Sequence, residues 1–357
     1  MMNVGNPGNS DSSLSIMKGK RNLLFTVLVF LLILLFCLDI LLGSVRLGLH
    51  DVFRALLSGS EEYINTIVLK FRLPKAITAI LAGIALSVSG LQMQTLFRNP
   101  MAGPYVLGIS SGASLGVAFV ILGFPAQFLA GSINALGSWA MVASACIGAG
   151  AVMIIMMAIS LRVRNILTVL VLGIMLSSGI SAIVSIMQYF SDESMLKAYV
   201  IWTMGSLGNL TSQQLSIMLV SLLAGVLLSL ISIKMLNALL LGENYAGSIG
   251  LNIRFARIII FTGTSILAGV VTAFCGPIGF IGIAVPHISR IIFRTSDHRI
   301  LLPSVIILGA VIMLASDILS QLPGYDKVLP VNSVTSLVGI PVVIWVILRN
   351  RKYSGEF

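Results

Sequence analysis

Ten apolar runs, near residues 23–42, 74–94, 104–123, 138–160, 166–190, 213–236, 257–275, 279–294, 300–320 and 330–348, follow one another with only short polar breaks. A helix needs about 20 apolar residues to cross the hydrocarbon core of a bilayer. The pattern predicts an all-α polytopic membrane protein with about ten transmembrane helices. Only 10% of the residues are charged, against roughly 25% in soluble domains, so no sizeable soluble domain fits. Residues 21–357 are expected to form one transmembrane domain, and the polar residues 1–20 a disordered cytoplasmic tail. The eighth run is short and holds Pro286, which predicts a kinked or partly buried helix.

Ten crossings put both termini on one side, and the basic residues decide which. With the N-terminus inside, Lys18, Lys20, Arg21, Arg98, Arg162, Arg164, Lys234, Arg254, Arg257, Arg290, Arg294 and Arg299 all fall on the cytoplasmic side, as the positive-inside rule requires. The topology is therefore N-in and C-in. The net charge of +10 is then membrane anchoring, and the scattered basic residues do not form a nucleic-acid face. The first run is too long for a signal-peptide core and lacks a small-residue cleavage site, so it stays as a span. Cys37, Cys146 and Cys275 sit singly in apolar segments, without metal-type spacing.

Mid-membrane carboxylates mark most ion-coupled carriers, because a buried acid is expensive and is kept for work. Here Asp39 and Asp317 lie near the outer ends of their spans, which disfavours an ion-coupled secondary transporter. No phosphate-loop motif occurs, so nucleotide chemistry is not expected in this chain. The segment Asn237–Arg257 is far longer than the two to eight residues usual between bundle helices. Its apolar Leu239, Leu240, Ala246, Ile249 and Leu251, broken by Gly242, Gly247 and Gly250, predict two short helices on the membrane face that dock a soluble partner.

Two motifs tempt a different reading. Gly108, Ser110 and Gly112 satisfy the Gly-x-Ser-x-Gly pattern of a hydrolase elbow, but that motif needs a strand-to-helix turn, and this one lies in a membrane-helix pattern; an intramembrane hydrolase is the remote alternative. His287 stands without a metal-type cluster and is expected to be structural. The small residues Ala79, Gly83 and Ser87, and Gly108, Gly112 and Gly116, recur every four residues and predict close helix packing.

Five runs in order, RLPKAITAILAGIALSVSGLQMQTLFRNPMAGPYVLGISSGASLG (72–116), WTMGSL (202–207), LGENYAGSIGLN (241–252), GPIGFIGIAVPHISR (276–290) and LPVNSVTSLVGIPVVIWVILR (329–349), resemble the FecCD family. These are permease subunits of type II ABC importers for iron(III) siderophores, haem and cobalamin in the bacterial inner membrane. The resemblance implies a pair of ten-helix subunits, expected as a homodimer, two cytoplasmic ATPase subunits that bring ATP and Mg, and an external substrate-binding protein. It implies no cofactor bound by this chain, no metal site and no catalytic residue. The family's coupling helices map to about residues 237–256, with Leu239, Leu240, Gly242, Glu243, Ala246, Gly250 and Leu251 as the candidate ATPase contacts. Arg72 and Lys75 match basic positions that meet the binding protein; a further basic position is Gln321 here, with Lys327 nearby. The fifth span resembles the lining of the path, where Gly173, Ser177, Ser178 and Ser181 give a small, mildly polar face.

Overall fold

The computed structural model describes residues 8–43, 48, 50, 52, 54–55, 62–123, 126–163, 165–208, 210–321 and 328–351. In chain order its helices are α1 (Gly8–Leu41), α2 (Glu62–Leu96), α3 (Ile109–Leu122), α4 (Ala126–Arg162), α5 (Ile166–Tyr189), α6 (Glu193–Thr203) and α7 (Ser212–Ile231). There follow α8 (Ile233–Leu239), α9 (Glu243–Ser248), α10 (Ile253–Cys275), α11 (Ile281–Phe293), α12 (His298–Ser320) and α13 (Val331–Arg351). Seven of them, α1, α2, α4, α5, α7, α10 and α12, contain a segment long and apolar enough to cross a membrane, and α3, α11 and α13 are shorter apolar helices. Together they correspond, in order, to the ten apolar runs of the sequence. α11 carries Pro286 inside it and is mostly buried, as its short apolar run predicted.

Several boundaries differ from the sequence pattern, the helices of the second and fourth runs starting early, at Glu62 and Ala126. α1 is helical from Gly8, through residues expected to be a disordered tail; a helix already nucleated in an apolar run gains a hydrogen bond with each residue it adds. The third span does not start at Pro104. Pro104–Leu107 is a single 3-10 turn, Gly108 reverses the backbone at φ +77°, and α3 begins at Ile109. Gly108 therefore belongs to the turn and not to a helix face. The sixth span stops at Ile231, so the first cytoplasmic helix begins at Ile233, earlier than expected.

α2 is the axis of the bundle. From Ala85 to Leu96 every residue is buried, the polar Ser87, Ser89, Gln92, Gln94 and Thr95 included, as in a helix enclosed by its neighbours on all sides. α10, α11 and α12 pack around it, and the approach is set by glycine. A Cβ on Gly90 would fall 1.8 Å from the Gly282 carbonyl oxygen of α11, and one on Gly83 would fall 2.3 Å from that of Gly309 on α12. The other predicted face packs α3 onto α4, where Gly112 and Gly116 lie against Gly148 and Ser144. Close backbone approach is the main source of helix association in lipid, where apolar burial provides little drive.

One buried polar group sorts the helices around α2. Thr264 of α10 donates to Gln92 Oε1 at 2.8 Å, and Gln92 Nε2 donates to Ser229 Oγ of α7 at 3.0 Å. Gln92→Leu removes both bonds, yet Thr and Ser hydroxyls can turn to their own helix carbonyls. The expected cost is about 1 kcal/mol, read as a small loss of stability against denaturing detergent in mixed micelles; a loss above about 3 kcal/mol contradicts this account.

Candidate functional site

With the N-terminus inside, α8 and α9 lie at the cytoplasmic face, between the inner ends of α7 and α10. They are held at both ends by polar side chains that are wholly or partly buried. On α8, Asn237 Nδ2 donates to Asp297 Oδ1 at 2.7 Å, and Asn237 Oδ1 accepts from the His298 backbone N–H at 2.9 Å. The His298 ring, 1% exposed, lies 2.7 Å from the same oxygen and 2.8 Å from Thr95 Oγ1 of α2. Asp297 also caps α12 through the Arg299 N–H at 2.9 Å. That bond is the main cause holding its carboxyl below the usual range.

On α9, Glu243 meets Arg257 of α10 in a two-bonded pair, Nε to Oε1 at 2.9 Å and Nη2 to Oε2 at 2.7 Å. Gly242, at φ +102°, turns the chain between the two short helices.

The candidate coupling residues divide by face. Leu239, Gly242 and Ala246 are buried and anchor the unit; Leu240, Glu243 and Leu251 are half-buried; Gly250 is exposed. The side turned away from the bundle carries Leu241 at 63% exposure, Tyr245 at 51% and Ile249 at 58%. An exposed apolar cluster outside the bilayer marks an interaction surface. Leu241 and Tyr245 were not among the sequence candidates, because a six-residue helix is too short for its periodicity to say which face turns outward.

At the outer end of the bundle, Arg72 and Lys75 meet partners within the chain. Residues Thr66–Arg72 form a π-helical stretch in α2, and Arg72 Nη1 donates to the Ile40 and Leu41 carbonyls at 2.8 and 2.9 Å, capping α1. Lys75 Nζ is 3.0 Å from Asp317 Oδ1. Gln321 Nε2 donates to Asp39 Oδ1 at 2.9 Å and Asp317 Oδ2 at 3.0 Å, bridging two fully buried carboxylates. The cluster fastens α1, α2 and α12 together. Gln321, read as the replacement of a basic docking position, is part of it, whereas Lys327 lies outside the described residues.

The four path candidates on α5 do not share one face. Gly173 and Ser177 turn inward: a Cβ on Gly173 would meet the Val106 carbonyl at 2.5 Å, and Ser177 Oγ lies 2.9 Å from where one on Gly108 would be. Ser178 and Ser181 are exposed, in line with Ala182 and Ser185. Consecutive helical residues point about 100° apart, so Ser177 and Ser178 belong to different sides. Ser178, Ser181 and Ser185 make an exposed small polar stripe on α5, and Ser185 is a member the sequence reading missed.

Ser110 of the elbow motif is paired with a threonine, and neither His287 nor His298 meets it. Ser110 Oγ lies 3.2 Å from Thr272 Oγ1, while the ring nitrogens of His287 and His298 are bonded to the Pro100 carbonyl and to Thr95 and Asn237.

The model of the FecCD transport family matches residues 31–349. The chain is similar to the hemin transport system permease protein HmuU of Yersinia pestis, 38% identical over 329 residues, covering 91% of this chain and 96% of the relative. It is similar to the vitamin B12 import system permease protein BtuC of Klebsiella pneumoniae subsp. pneumoniae, 37% identical over 283 residues, covering 79% and 82%. Its fold matches the solved inward-facing conformation of an ABC transporter assigned to the metal-chelate type, with a TM-score of 0.78, 26% identity, and 91% and 99% of the two chains covered.

Proposed function

Because this chain belongs to the FecCD transport family, we propose that it is the membrane permease of an ABC importer carrying a bulky iron(III) chelate, haem or cobalamin inward across the bacterial inner membrane. Two copies form the path. Two cytoplasmic ATPase subunits supply ATP and Mg and seat on α8 and α9; an external binding protein delivers the substrate.

The observation that carries this reading is the exposed Leu241, Tyr245 and Ile249 cluster on a unit tied by partly buried polar bonds into the bundle. A surface meant only to end a loop needs neither the apolar face nor the anchors. The likeness to both a hemin and a vitamin B12 permease supports a large metal-bearing ring or chelate as substrate. Such a solute must pass without sticking, which suits the small serine face of α5. An ion-coupled carrier is the poorer reading, since the buried acids Asp39 and Asp317 are engaged with Gln321 and Lys75.

The test is uptake into proteoliposomes that hold the chain with its co-expressed ATPase and binding protein. Haem, cobalamin and a ferric siderophore are supplied in turn, with ATP or a non-hydrolysable analogue inside. ATP-dependent uptake of one of them is the expected result. Uptake by the permease alone, driven by an ion gradient, overturns the reading.

A further inference from the structure

Arg257 is 4% exposed, and a guanidinium so withdrawn from water is tolerated only when its donors are satisfied. Two of its nitrogens bond the Glu243 carboxylate of α9. The third, Nη1, turns the other way and donates to the Ser160 and Val163 carbonyls at the inner end of α4, at 2.7 and 2.8 Å. One planar, rigid group thus joins three separate elements: the docking helix α9, the start of α10 and the end of α4. A lysine ammonium has the charge but not the fork that fixes their mutual orientation.

What lies beyond α4 gives this joint a direction. α4 is pressed onto α3 through Gly112, Gly148, Gly116 and Ser144, contacts too tight to admit a Cβ. The turn before α3 in its turn seats α5, with Val106 against Gly173 and Gly108 against Ser177. Packed interfaces of this kind shift as blocks and do not deform continuously.

We propose that Arg257 is the positioning residue that transmits displacement of α9 to α4, and through the α4–α3 contact to the path helix α5. This rests on the reading of α8 and α9 as the ATPase-docking unit. Glu243 is then the input contact of the joint, and the α4 carbonyls are its output. Tyr245 and Ile249, on the outer side of the same unit, serve attachment alone.

Binding and transmission are therefore separable by mutation. In the reconstituted importer, with haem as the probe or cobalamin where haem is not carried, Arg257→Lys and Arg257→Gln are expected to copurify with the ATPase as the unaltered chain does and to hydrolyse ATP. Substrate moved per ATP falls about five-fold or more, the lower end of coupling between distant sites. Tyr245→Ala, by contrast, reduces the amount of ATPase that copurifies. An unchanged substrate-to-ATP ratio in Arg257→Lys sinks the proposal while leaving the importer reading intact. So does a parallel loss of assembly, hydrolysis and uptake in both Arg257→Lys and Arg257→Gln, which assigns the residue to folding. If the unaltered complex shows no ATP-driven uptake, both readings fall together.

Discussion

Lys75→Ala is expected to cost about 3 kcal/mol of stability, the low end of the penalty for removing one partner of a buried ion pair, since 20% of the Lys75 side chain stays exposed. Lys75 is the cation bonded to Asp317, which is 0% exposed and lies beside the equally enclosed Asp39. Without it, two carboxylates bridged by Gln321 are left facing each other in a water-poor site. Neutralising one of them relieves this, so the double variant Lys75→Ala/Asp317→Asn recovers at least half of the loss. Reversible unfolding in mixed micelles reads both values. A cost below about 1 kcal/mol, typical of an exposed pair, contradicts the buried cluster and returns Lys75 to a purely external role.

Gly90→Val carries the second large effect. The first added carbon falls 1.8 Å from the Gly282 carbonyl oxygen, and both sides of the contact are backbone, so no side chain can swing aside. α2 and α11 must separate at the centre of the bundle. Overpacking a core costs about 1 to 3 kcal/mol where side chains can adjust, and here the loss exceeds that range. Size-exclusion profiles of the solubilised variant lose the monodisperse folded peak. Gly150→Ala is the matched control, because nothing lies within 4 Å of the position its Cβ takes. In a helix that change is neutral or stabilising by up to about 1 kcal/mol. Equal behaviour of the two variants rules out close approach at Gly90 as the reason for glycine there.

Much of the architecture was legible because membrane insertion acts on local sequence. Each span needs its own apolar length, so the crossings could be counted, and the basic residues gave their direction. Gly83 on α2 and Gly112 and Gly116 on α3 were legible as packing positions through their four-residue spacing, whereas Gly108 proved to be a turn residue and Gly90 lay outside the pattern. Boundaries were harder. Residues 232–236 are apolar enough to continue α7 but form the start of α8, since hydropathy alone does not reveal where a helix turns along the membrane surface.

Side-chain partnership was the part that spacing could not supply. Arg72 and Lys75 stand at the outer end of α2, where a basic residue reads equally as a surface contact or an internal one. The acids that engage or neighbour Lys75 come from α1 and α12, and nothing in the local pattern names them. The same holds for Arg257, whose carbonyl partners lie 97 and 94 residues away.

The sequence by itself determined a bundle of ten apolar segments, the side its basic residues favour, and an unusually long insertion between the sixth and seventh of them. Each of these depends on transfer between water and lipid, a property summed along consecutive residues. Only the tertiary structure decided which face of that insertion is free and which is anchored. It also decided which serines of α5 are exposed, and that Arg257 binds α4 and α9 at once. Those depend on directional contacts between residues far apart in the chain, which exist only once the helices have packed.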